Sequence, residues 1–98
     1  ILTCLSGPWE GQQFSMEKES FHIGANPEND LCLNQDEYVS GDHACLRYEN
    51  GSLILFDEGS SNGTFVNDVR VTDTGIVLKP GEQVRIGISV FEVATPAD

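Results

Sequence analysis

The stretch Arg47-Tyr48-Glu49-Asn50-Gly51-Ser52-Leu53 constrains the fold more than any other. Asn-Gly sets two residues that tolerate positive φ between β-rich runs, the strongest short-range signal of a hairpin. Similar punctuation recurs. Val66-Asn67-Asp68-Val69 reads as a second two-residue turn. Leu78-Lys79-Pro80-Gly81-Glu82 reads as a turn in which proline presets φ and glycine supplies the left-handed position. No stretch carries apolar residues at helical spacing over three turns. Short strands are expected instead at 1–5, 13–16, 20–24, 31–33, 44–49, 52–57, 64–66, 69–71, 83–86 and 90–94. Strands this short, turned this often, specify an all-β sandwich.

A chain of 98 residues has room for one core, so a single domain over 1–98 is expected. It starts at Ile1 rather than methionine, which we read as a fragment of a larger protein. No apolar run approaches the roughly 18 to 20 residues of a transmembrane helix. Acidic residues outnumber basic ones by 16 to 5, for a formal net charge of -11. That balance argues against nucleic acid and against direct binding to anionic membranes, both of which draw on clustered lysine and arginine. Asn34-Gln35-Asp36-Glu37 lacks the spaced oxygen ligands and central glycine of a calcium loop. Cys4, Cys32 and Cys45 are odd in number and unpaired in spacing. They read as buried free thiols in a reducing compartment rather than a disulfide framework or zinc site. No metal or cofactor is therefore expected. The expected location is the cytoplasm, or the cytoplasmic part of a larger, membrane-anchored protein.

Three polar loops, at 25–30, 34–43 and 58–63, join the strands, and loops on a rigid scaffold carry function disproportionately. In Tyr38-Val39-Ser40-Gly41-Asp42-His43, a serine, an aspartate and a histidine invite a hydrolase reading. Nucleophilic catalysis needs the serine hydroxyl bonded to an oriented histidine, together with an oxyanion hole. Neighbours this close in sequence have little geometric freedom, and no nucleophile elbow is present. The competing reading buries His43 at a strand start, bonded to loop backbone, where it fixes how Ser40 is presented. Gly24 ends a strand, Pro27 imposes extended geometry on Asn26, and Asn29-Asp30 can close their loop on nearby backbone. In Gly59-Ser60-Ser61-Asn62-Gly63 the glycines allow a tight turn, while hydroxyls and an amide suit an oxyanion or a peptide backbone. That stretch alone is equally a ligand-free Asn-Gly turn.

Read together, the ordered set Gly24, Asn29-Asp30-Leu31-Cys32-Leu33, Ser40-x-x-His43-Ala44 and Ser60-Ser61-Asn62-Gly63-Thr64-Phe65-Val66-Asn67 resembles the forkhead-associated (FHA) domain. Leu78-x-Pro80-Gly81-Glu82-x-Val84-x-Ile86-Gly87 matches that family's penultimate strand and its turn, so the resemblance covers nearly the whole chain. It implies a β-sandwich of about eleven strands, of the SMAD/FHA type, whose loops bind phosphothreonine peptides at one end. It assigns phosphate contacts to Ser40 and Ser61 and peptide-backbone contacts to Asn62. Gly24, His43 and Gly63 become structural supports of the loops.

Two departures fall at the centre of this pattern. Ala25 stands where the family has a phosphate-gripping arginine, and Gly41 stands where it often has arginine or another polar side chain. Losing such a charge-assisted fork from a partly desolvated site costs about 2 to 5 kcal/mol, roughly 30-fold to several-thousand-fold in affinity. Lys18 and Arg47 are poor substitutes; Arg47 lies about 13 Å beyond His43 along an extended chain. The expected function is thus a non-catalytic protein-interaction module with weakened or lost phosphothreonine dependence. The alternative is a phosphothreonine reader using Ser40, Ser61 and Asn62. Its partner is a protein or phosphopeptide. His22 reads as a side chain on the alternate strand face rather than a ligand, and Trp9 as packing over one sandwich edge.

Overall fold

The computed structural model describes residues 2–15 and 19–93. Lys18, the outer ends of the strands expected at 1–5, 13–16 and 90–94, and the tail from 95 lie outside them. Eleven strands follow one another: β1 Leu2–Ser6, β2 Gln13–Phe14, β3 Ser20–Gly24, β4 Leu31–Cys32, β5 Ala44–Glu49, β6 Ser52–Asp57, β7 Thr64–Val66, β8 Val69–Arg70, β9 Ile76–Leu78, β10 Gln83–Ile86 and β11 Ser89–Val93. No described residue is helical. One sheet has six strands in the order β2-β1-β11-β10-β7-β8, the other five in the order β4-β3-β5-β6-β9. The expected all-β sandwich is thus what forms.

The three turns take the conformations their residues favour. Asn50 and Gly51 have φ of 51° and 79°, and Asn67 and Asp68 have 48° and 68°, so each two-residue hairpin holds two left-handed positions. At the third, Gly81 has φ of 87° and Glu82 N–H closes onto the Lys79 carbonyl at 3.2 Å. β9 is the strand missing from the sequence-based set. Only three residues long, it pairs Leu53 with Leu78, Ile54 with Val77 and Leu55 with Ile76 at a sheet edge.

Period-two alternation sends one set of side chains between the sheets. Ile23, Leu46, Leu55, Ile86 and Phe91 are almost wholly buried there. Trp9 packs on this core, as expected of it. All three cysteines are unbridged; Cys4 and Cys45 are buried and Cys32 partly so. Register also sets the two ends of the molecule. Leu2 pairs with Val93 at one end, while Ile86 pairs with Ser89 at the other. The second end carries the long loops. A buried aspartate ties them to the β10–β11 turn: Asp36 accepts hydrogen bonds from Ile88 N–H and the Ser89 hydroxyl, both at 2.9 Å, and from Tyr38 N–H at 3.0 Å. Gly87 makes room for it, since a Cβ there would stand 2.5 Å from the Asp36 carboxylate.

Candidate functional site

The three polar loops converge, and backbone hydrogen bonds hold the first two together. Ala25 N–H donates to the Ser40 carbonyl at 2.9 Å and Asn26 N–H to the Gly41 carbonyl at 3.1 Å. The Asn29 side chain closes its own loop on Asn26 O at 3.0 Å and reaches across to Gly41 O at 2.7 Å. Gly24 has to be glycine, because a Cβ would fall 2.1 Å from the Gly41 carbonyl oxygen. Gly41 is less confined, since its Cβ would meet the Asn26 side-chain amide at 2.7 Å rather than backbone.

His43 joins the second loop to the third. Its ring is fully buried, and Nδ1 accepts from the Ser40 backbone N–H at 3.0 Å. Nε2 lies 2.9 Å from the Gly63 carbonyl. A carbonyl cannot donate and a backbone N–H cannot accept, so the ring is neutral with its proton on Nε2. Both nitrogens are spent on backbone, and neither addresses the Ser40 hydroxyl. That arrangement is incompatible with a Ser40–His43 nucleophile and base as they stand. The Ser40 Oγ instead accepts the Ser61 N–H at 3.0 Å, leaving its own proton to donate outward. Asn62 Nδ2 bonds the Tyr38 carbonyl at 2.9 Å, which leaves the amide oxygen and a second N–H for a ligand.

Asp57, which sequence reasoning passed over, organises the third loop. Its carboxylate accepts the Ser60 and Thr64 hydroxyls and the Gly59 and Ser60 N–H groups. Burial by itself would raise this carboxyl, but those hydrogen bonds hold it below the ordinary value. Ser60, turned inward, also accepts the Gly63 N–H at 3.1 Å, whereas Ser61 and Asn62 beside it are exposed.

Every residue proposed for the site or its support therefore lies at one end: Gly24, Ala25, Ser40, Gly41, His43, Ser61, Asn62 and Gly63. Its electrostatics are one-sided. Ala25 presents a half-buried methyl packed on the core, and Glu28, Glu37, Asp42 and Glu58 are exposed on the same loops. Arg47 turns away to the outer face of the five-stranded sheet, where it pairs with Glu49 at 3.4 Å. Arg70 is the cation that sequence reasoning missed. Cross-strand from Phe65, it sets its Nε 3.4 Å from where a Gly63 Cβ would stand, at the rim of the third loop. The two-residue turn at Asn67-Asp68, which folds β8 back on β7, was the available signal.

Comparison with known proteins agrees with this architecture. Residues 3–97 match the family described as the cytoplasmic domain of the inner membrane component of T3SS. The oxoglutarate dehydrogenase inhibitor of Corynebacterium diphtheriae is 38% identical over 89% of this chain and 59% of its own length. The glycogen accumulation regulator GarA of Mycolicibacterium smegmatis is 37% identical over 89% of this chain and 53% of its own. The oxoglutarate dehydrogenase inhibitor of Corynebacterium glutamicum is 34% identical over all of this chain and 67% of its own. The chain thus spans between about half and two thirds of these relatives. Among solved structures, an FHA domain from a study of phosphothreonine-dependent FHA interactions superposes with a TM-score of 0.86 at 28% identity, covering 98% of this chain and 95% of that one. The FHA domain of CT664 from Chlamydia trachomatis gives 0.86 at 26% identity, covering 98% and 96%.

Proposed function

Since the chain belongs to the forkhead-associated family, in the group described by the cytoplasmic domain of the T3SS inner membrane component, we propose that it is a non-catalytic module that recognises a partner protein through its loop end, with weakened or lost dependence on phosphothreonine. Ser40, Ser61 and Asn62 supply neutral hydrogen bonds to a peptide segment, while Gly24, His43 and Gly63 hold the loops that carry them. The carrying observation is the uncharged centre: a methyl at Ala25, no side chain at Gly41, and exposed carboxylates around both. A phosphate dianion draws its affinity from charge-assisted bonds, and those positions supply none. The relatives' names, an enzyme inhibitor and an accumulation regulator, support a regulatory role with a protein partner, and the matched family's description as a cytoplasmic domain supports a cytoplasmic location.

A second reading, a phosphothreonine reader, is favoured by Arg70 at the loop rim and by the outward-facing Ser40 hydroxyl. Titrating an oriented phosphothreonine peptide library against its unphosphorylated twin separates the two. Our reading expects binders of both forms with affinities within a few fold. It also expects Ala25→Arg to raise phosphopeptide affinity roughly 30-fold or more while leaving the plain peptide unchanged. A wild-type preference for the phosphorylated form above about a hundredfold, lost in Arg70→Ala, would establish the second reading instead.

A further inference from the structure

We propose that His22, Cys45 and Glu58 form a divalent-metal site suited to zinc on the outer face of the five-stranded sheet. No spacing in the sequence announces it, because the three residues are distant along the chain and meet only through strand register. Pairing of β3 with β5 sets His22 directly opposite Cys45. Glu58 follows the last residue of β6, and its N–H is held by the His43 carbonyl at 3.0 Å. The His22 N–H is likewise held, by Asp30 Oδ2 at 2.9 Å. All three backbones are therefore fixed by the sheet and its margin, while the His22 and Glu58 side chains remain partly exposed and able to adjust.

The donor atoms lie within 4.8 Å of one another, and His22 Nδ1 stands 3.3 Å from Glu58 Oε1. Around tetrahedral zinc, with bonds of about 2.0 to 2.3 Å, neighbouring donors are about 3.3 to 3.6 Å apart. The imidazole and carboxylate are already at that separation, and the sulfur closes on them by side-chain rotation over roughly 1 Å. Cys45 forms the floor of a groove of about 390 Å³ that Ser20, Phe56 and Asp73 also line. Three protein ligands beneath an open groove leave a fourth position for water or a partner's side chain. The donor set selects the metal: thiolate and imidazole favour zinc, whereas calcium and magnesium want oxygen alone. As the S–Zn bond forms, the Cys45 thiol gives its proton to solvent. Metal binding therefore tightens as pH rises.

The site does not depend on the peptide-recognition reading and is tested apart from it. The untagged, chelator-treated chain is titrated with Zn²⁺ against a chromophoric chelator, and separately with Co²⁺ while thiolate-to-cobalt absorption is followed. One equivalent should bind with a thiolate band. His22→Ala, an exposed position whose loss leaves the core intact, and Cys45→Ser should each weaken binding beyond the roughly 10- to 100-fold of an outer-shell loss and abolish or shift the band. Cys32→Ser should retain both. Binding that is unsaturable, that survives unchanged in His22→Ala, or that disappears in Cys32→Ser overturns the proposal.

Discussion

At Asp57 one carboxylate does the work of several turn residues, accepting two hydroxyls and two backbone N–H groups. A hydrogen bond to a charged group contributes about 1.5 to 3 kcal/mol, so Asp57→Ala should destabilise the domain by at least about 2 kcal/mol in chemical denaturation. The pH dependence has a definite sign. The folded carboxyl titrates below its ordinary 3.8, so its contribution is complete above that value and is lost as pH falls through the folded one. Thermal melts taken from about pH 5 downward should show wild-type protein losing stability that Asp57→Asn has already forfeited. At this scale the sequence was partly legible. Ser40, His43 and Asn62 stand out because their types and order form a pattern. Asp36 does not, since its partners Ile88 and Ser89 lie more than fifty positions away and only the closed sandwich brings them near. Arg70 was within reach of the sequence, because the Asn67-Asp68 turn that folds it back beside Phe65 is local.

Among the elements, hairpins were legible because turn chemistry is local: Asn50-Gly51 and Asn67-Asp68 state their φ requirements in two letters. β9 was not, because Ile76-Val77-Leu78 is too short for alternation to register and its pairing with β6 is non-local. The loops behave as one element, and the glycine seam at Gly24 and the histidine bridge at His43 are among the contacts that join them. Gly24→Ala drives a Cβ against the Gly41 carbonyl, a backbone atom that cannot rotate away. We expect a loss of about 1 to 3 kcal/mol, with faster hydrogen exchange at the Ala25 and Asn26 amides that cross the seam. His43→Ala leaves the Ser40 N–H and Gly63 carbonyl without their partner and opens a void. A destabilisation of about 2 to 4 kcal/mol is expected, with partner binding lost further than stability alone explains.

Over the whole molecule, a formal charge of -11 acts on every encounter. Stopped-flow association with a basic peptide should slow as salt is added, and association with an acidic one should quicken, because screening removes attraction in the first case and repulsion in the second. The sandwich itself was readable in advance, since patterning and turn spacing are properties of the entire chain. The metal constellation on its outer face was invisible until register brought three distant side chains together. The pairing of Leu2 with Val93, far from the loops, has a mechanical consequence. Tension applied between those two residues pulls adjacent antiparallel strands apart from their shared end, so the rungs between β1 and β11 bear load singly, as in a zipper, rather than together, as in shear. In a single-molecule pulling experiment the domain should yield at low force from that end. Gripped at Val93 and Asn62, which sit at opposite poles, it should resist more.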